Sequence, residues 1–90
     1  MNEVIHVFKD ELFDTVTGYS VRVVGGQRED RLWEGRLEFV AHDGGTLRTD
    51  RETVQSSAEA LRYWATGLEA VYLEGALERA KRMPRVAVSR

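Results

Sequence analysis

The sequence contains no cysteine and only one proline among its 90 residues. Without cysteine there can be no disulfide framework, no thiolate zinc site and no cysteine nucleophile. The core of so short a chain must therefore hold without covalent cross-links, either alone or with the help of a second subunit.

Long apolar runs are also missing, because no stretch approaches the ~20 apolar residues of a membrane-spanning helix. The start, MNEVIHVFKDELFD, has neither the basic flank nor the apolar stretch of a secretory signal. We therefore expect a cytoplasmic protein without membrane contact.

Recognisable catalytic and ligand-binding motifs are absent as well. His6 and His42 lack a metal-binding spacing, and no serine lies in a G-x-S-x-G elbow. The acidic group Asp10, Glu11 and Asp14 lacks a glycine-hinged calcium loop and is interpreted as a solvated face. We expect a non-enzymatic protein with no catalytic, cofactor-binding or metal-binding residues.

The charge balance is that of an ordinary soluble globular domain, with 42% hydrophobic and 31% charged residues. A net charge of -2 argues weakly against bulk nucleic-acid binding. The charge is uneven, however, because the last twelve residues hold five basic side chains and no acid. The five are Arg79, Lys81, Arg82, Arg85 and Arg90.

Alternating patterns in the first 54 residues predict an antiparallel β-meander of three or four strands. VIHVF (4–8) is β-branched and apolar, and predicts a possible first strand. YSVRVV (19–24) alternates in the manner of a half-buried strand, and TLRTD (46–50) predicts a returning strand with Leu47 inward. In the strand between them, one face carries the core residues Trp33, Gly35, Leu37, Phe39 and Ala41.

Two glycine-rich segments are predicted to be the turns of this meander. GGQRED (25–30) is a polar loop opened by two glycines, and HDGG (42–45) contains the Asp-Gly hairpin signal. For the segment KDELFDTVTG (9–18), the sequence leaves three alternatives: a helical turn, a wide loop or a continuing strand.

A single long helix is predicted over 56–83. Ser56 forms a capping box with Glu59, and Ser57 is a rival N-cap. Pro84 ends the helix because proline disfavours helical backbone at the preceding residue. Residues 84–90 are then either a short edge strand or a loose tail.

When successive residues are placed 100° apart around the helix axis, one broad apolar stripe is predicted to face the core. The stripe consists of Leu61, Trp64, Ala65, Leu68, Tyr72, Gly75 and Ala76. Gly75 is interpreted as a residue that lets the helix pack closely on the sheet. Gly67 lies on the opposite, more polar side of the helix, where close packing does not explain a glycine.

A second apolar set lies off this stripe in the later half of the helix, and consists of Ala70, Leu73, Leu77 and Ala80. Two interpretations stay open. The chain itself covers the set, through Leu12 and Phe13 or through Val86 and Val88, or the set forms an exposed patch where a second chain docks.

The sequence thus predicts one α+β domain over 1–90, with strands mostly over 1–54. Its predicted function is that of an interaction module that forms a homodimer through the later half of the helix. Another protein partner stays open. The alternative is a nucleic-acid- or other anion-binding protein that uses Arg79, Lys81, Arg82 and Arg85, although three of these also offset the helix dipole.

Overall fold

The computed structural model describes residues 2–83, which form an antiparallel six-stranded sheet followed by two helices. The α+β class is confirmed. The three- to four-stranded meander and the single helix are corrected. The elements are β1 (Glu3–Val7), β2 (Leu12–Phe13), β3 (Gly18–Gln27), β4 (Trp33–Ala41), β5 (Thr46–Arg48), β6 (Thr53–Gln55), α1 (Ala58–Thr66) and α2 (Ala70–Arg82).

The long strands β3 and β4 form the centre of the sheet, paired from Tyr19 opposite Ala41 to Gln27 opposite Trp33. β1 and β2 both pair with the outer side of β3, while β5 and β6 both pair with the outer side of β4. β2 lies in the segment 9–18, for which a continuing strand was one of three alternatives, whereas β6 was not predicted. With two and three residues, both are too short for an alternating pattern to reveal them.

The predicted core face of the sheet is confirmed. Val21 and Val23 of β3 and Leu37 and Phe39 of β4 are at most 1% exposed. Trp33, Ala41 and Leu47 are partly buried and pack against this core. The two helices cover the same face.

The expected loop at 25–30 begins three residues later than predicted, because Gly25–Gln27 belong to β3. Gly25 lies opposite Gly35 of β4, and the two form a notch under Leu61 of α1. A Cβ on Gly25 would lie 2.5 Å from the Glu34 carbonyl oxygen, and one on Gly35 would lie 2.7 Å from Leu61 Cδ1. The glycine pair therefore serves close packing of helix on sheet.

Local interactions explain the turn at 42–45 and the segment 9–18, whose structure the sequence did not decide. The predicted HDGG turn is confirmed, and Gly44 adopts φ +98°, a conformation that glycine tolerates. In the segment left open, Asp14 accepts hydrogen bonds from the backbone N–H groups of Val16 and Thr17 at 2.8 and 2.7 Å. This side-chain-supported turn connects β2 to β3.

The predicted single helix is broken over 67–69. Ser57, rather than Ser56, caps α1, since its Oγ accepts a hydrogen bond from Ala60 N at 3.0 Å. Gly67 is the C-cap of α1, and Glu69 has extended backbone (φ −106°, ψ 167°) before α2 begins. In a continuous helix no packing contact explained Gly67. In the structure Gly67 lies at the break between α1 and α2.

The break gives each helix its own core-facing side. α1 buries Leu61 and Ala65, while α2 buries the i, i+3, i+4, i+7 set Leu73, Ala76, Leu77 and Ala80. Tyr72 and Gly75, both placed on the core stripe by a continuous helix, are exposed instead. A Cβ on Gly75 would meet no atom within 4 Å, so the close-packing interpretation of Gly75 is wrong.

None of the helices within residues 2–83 is long and apolar enough to cross a membrane. The predictions for the tail, including the edge-strand alternative and the covering role of Val86 and Val88, lie outside the described residues.

Candidate interaction surfaces

The apolar set predicted in the later half of the single helix belongs to α2 and is mostly covered by the protein's own chain. Leu73, Leu77 and Ala80 are at most 5% exposed and belong to the central core cluster. Leu12 packs against this cluster, as one interpretation expected, whereas Phe13 is 70% exposed. Of the four predicted interface residues only Ala70 is exposed. The premise of an exposed patch is therefore corrected, while self-association itself stays a prediction.

The basic residues at the end of α2 are largely engaged with carboxylates of the same chain. Arg79 donates to both oxygens of Glu52, at 2.6 and 3.2 Å. Lys81 lies 3.1 Å from Asp14 in the N-terminal segment, and Arg82 is exposed. Arg85 lies outside the described residues. Anion binding at this end stays a prediction, but two of its four cations already have partners.

Glu52, between β5 and β6, connects the sheet to α2. Its side chain is 5% exposed and accepts hydrogen bonds from Arg79 and from the Tyr72 hydroxyl. Burial raises the pKa of Glu52, but the bonds from Arg79 and Tyr72 outweigh it and leave this pKa below the usual value. Burial and the Glu52 carboxylate both raise the pKa of Tyr72.

Asp14 makes a similar connection between the β2–β3 turn and α2. The backbone N–H groups of Thr17 and Val16 and the Lys81 ammonium hold the pKa of Asp14 far below its usual range. Tyr19 Oη also lies 3.3 Å from this carboxylate. We interpret Asp14 and Glu52 as structural anchors, since each is already satisfied by partners within the chain.

The uncovered face of the sheet carries a ladder of cross-strand ion pairs. Glu38 of β4 lies between Arg22 of β3 and Arg48 of β5, with an Arg22 Nε–Oε1 distance of 2.6 Å and an Arg48 Nε–Oε2 distance of 3.0 Å. Burial raises the pKa of Glu38, but the guanidinium groups of Arg48 and Arg22 lower it by more. The pKa of Glu38 therefore lies below its usual value. Glu38 is only 4% exposed, so these ion pairs are largely shielded from solvent on the carboxylate side.

No group of three or more potential metal ligands occurs within residues 2–83. The acidic group expected on the surface is dispersed, because Asp14 binds Lys81 and Glu11 lies 3.0 Å from His42 Nε2. The other histidine, His6, contacts the Phe8 ring edge-on at 4.7 Å.

One open cleft of about 200 Å³ lies between the segment after β1 and the start of α2. Its apolar wall includes Leu12, Leu68 and Leu73, and its polar residues are Lys9, Asp10 and Glu11. Since these three carry both signs of charge, the cleft favours no particular ligand charge.

The edge formed by β1 lies at one side of the sheet and presents exposed apolar side chains. Among the described residues β1 pairs with β3 alone, and Val4 and Val7 are 51% and 62% exposed. Val7 lies opposite Arg22, and the next residue, Phe8, donates its N–H to Val21 O at 3.0 Å. In an antiparallel ladder this makes Val7–Arg22 a non-hydrogen-bonded pair, so the N–H and C=O of Val7 point away from β3.

The sequence alone did not single out this edge. It predicted a strand over 4–8, but it did not show which side of that strand would be paired. No protein-family model, curated protein or solved structure matches the chain.

Proposed function

We propose that this protein is a non-enzymatic interaction module that forms a homodimer by pairing the β1 edges of two copies. The observation that carries the proposal is the outward direction of the Val7 N–H and C=O on a strand whose Val4 and Val7 side chains are exposed. Unpaired backbone groups of an edge strand are a template for another strand.

This edge replaces the surface of α2 as the proposed site of self-association. Docking through Leu73, Leu77 and Ala80 would require the core to open, because all three are already buried. Pairing at β1 requires no rearrangement of the described fold.

The edge is short, which limits the affinity. A β-bulge between Val4 and His6 interrupts the register with β3, and bulges are one means by which proteins blunt their sheet edges. The regular part therefore runs from His6 to Phe8. We expect a small interface and a dissociation constant in the range of roughly 10–100 µM.

Light scattering on a sizing column measures the mass directly. We expect the wild type to change from monomer to dimer between about 1 and 500 µM. Val7→Pro should stay monomeric, because proline removes the outward N–H of Val7 without breaking a hydrogen bond to β3. Val7→Thr, which keeps both the N–H and the β-branched shape, should dimerise like the wild type.

Circular dichroism must show that all three proteins are folded to the same extent. A wild type that is monomeric at the highest concentration would refute the proposal. So would a folded Val7→Pro variant that dimerises as well as the wild type.

A further inference from the structure

We infer that the two copies pair antiparallel about a two-fold axis at Val7, with Val7 of one copy directly opposite Val7 of the other. This inference rests on the proposed homodimer and specifies its register. In this register, each copy supplies the strand that completes the binding site of the other.

The direction of the backbone groups selects Val7 as the axis residue. In a two-fold antiparallel pair, a residue on the axis can exchange both of its hydrogen bonds with its own copy. Val7 has the required outward N–H and C=O, whereas its neighbours His6 and Phe8 lie at positions whose groups face β3.

Other registers lack a regular partner for Val7. An axis at His6 would place Val7 opposite Ile5 of the second copy, within the bulge between Val4 and His6. An axis at Phe8 would place Val7 opposite Lys9, which lies in a bend after the last described bond between this segment and β3. Only the register centred on Val7 keeps the regular part of both strands together.

Side chains near the axis fit this arrangement. The two exposed Val7 side chains would meet on the open face of the sheet, and each His6 would lie opposite Phe8 of the other copy. Because His6 and Phe8 already form an edge-to-face pair within one chain, the axis would bring four rings together. Aromatic cross-strand pairs are among the more favourable in antiparallel sheets.

Glu3 and Lys9 lie at the two ends of this edge. Glu3 begins β1 and Lys9 follows it, with no acidic or basic residue apart from His6 between them. Glu3 lies opposite Gly25, beyond the bulge, and Lys9 lies in a bend after the strand, so no regular cross-strand position pairs Glu3 of one copy with Lys9 of the other. The register is therefore set by the backbone pairing rather than by charge.

The arrangement has a consequence for the shape of the assembly. A two-fold axis that joins two antiparallel edges into one continuous sheet stands perpendicular to that sheet, so corresponding faces lie on the same side. The helices of both copies would cover one face. The Arg22–Glu38–Arg48 ladders of both copies would line the other.

Disulfide trapping tests the register, and the absence of native cysteine makes an introduced thiol unique. In a hydrogen-bonded antiparallel pair the Cα atoms are about 5.5 Å apart, within the range that a disulfide bridges. Val7→Cys should therefore form a covalent dimer under mild oxidation. Two Val4 residues would be separated by roughly 20 Å along the strands, so Val4→Cys should not.

Val71→Cys is the matched control, since Val71 is an equally apolar and even more exposed residue, at 74%, on α2. At concentrations where the wild type dimerises, Val7→Cys should cross-link about tenfold faster than Val71→Cys or more, because pairing raises the effective thiol concentration.

The outcomes separate the register from the dimer. If the wild type dimerises but Val7→Cys cross-links no faster than Val71→Cys, the register at Val7 is refuted and the homodimer stands. Faster trapping of Val4→Cys than of Val7→Cys would refute it in the same way. If the wild type is monomeric at every concentration, the homodimer and the register are both refuted.

Discussion

At the scale of single residues, the glycines are where the structural roles differ most from those that the sequence predicts. Gly25 and Gly35 are required because Leu61 and a backbone carbonyl occupy the space of their missing Cβ atoms. Gly75, in the middle of α2, has open space instead. A glycine in a helix interior costs about 0.5–1 kcal/mol relative to alanine, and here no contact offsets that cost.

We therefore expect Gly75→Ala to raise the free energy of unfolding by about 0.5–1 kcal/mol. Gly25→Ala should lower it by about 1–3 kcal/mol, because the added methyl group would clash with the Glu34 carbonyl and with Leu61. Urea denaturation of both variants against the wild type measures the two changes. A destabilised Gly75→Ala variant would show that Gly75 has a role that its surroundings do not reveal.

At the scale of elements, the decisive feature is the break between α1 and α2. In one continuous helix, the apolar residues after Gly67 form two sets, of which only one can face the sheet. With the break over 67–69, α2 turns Leu73, Ala76, Leu77 and Ala80 inward and Tyr72 outward. Tyr72 then donates to Glu52 and lies under Arg79, whose guanidinium carbon is 6.0 Å from the ring centroid.

A truncation on α2 distinguishes an interior face from a docking face. Leu77→Ala should lower the free energy of unfolding by about 2–5 kcal/mol, because it leaves a cavity in the core. Val71→Ala, on the exposed side of the same helix, should change it by about 0.5 kcal/mol or less. Thermal and urea unfolding measure both. A Leu77→Ala variant as stable as the wild type but impaired in dimerisation would restore α2 as the interface.

At the scale of the whole molecule, three buried or half-buried carboxylates hold distant elements together. Glu38 joins β3, β4 and β5, Glu52 joins the β5–β6 segment to α2, and Asp14 joins the β2–β3 turn to the end of α2. In all three the folded protein stabilises the ionised form and lowers the pKa.

The sign of the pH dependence follows from these lowered pKa values. A carboxylate with a depressed folded pKa contributes stability that is fully present above its unfolded pKa and is lost as the pH falls through the folded pKa. We expect a flat stability at neutral pH and a decline below about pH 4. Glu52→Gln should make this decline shallower, because it removes one carboxylate whose pKa the fold lowers.

Urea denaturation at a series of pH values checks this expectation. An unfolding free energy that stays constant from neutral pH down to about pH 2 would contradict it, since Glu38 and Glu52 would then not depend on their ionised state.

Much of the sheet could be predicted from the sequence, but the candidate site could not. The alternation in β3 and β4 and the Asp-Gly turn are local signals, and the structure confirms the core face that they predicted. The edge of β1 has no such signal. The direction of the Val7 N–H and C=O depends on the register with β3 and on the bulge before His6, which sequence periodicity does not specify.

By itself the sequence determined an α+β protein without disulfides, with a polar and an apolar face on its central strands and helix-forming residues after Ser57. These properties follow from composition and from short-range patterns. Only the tertiary structure decided where the helix breaks, that α2 covers its own leucines, and that β1 is left with an outward-facing edge. Each of those outcomes depends on contacts between residues far apart in the chain, where packing and register outweigh local preference.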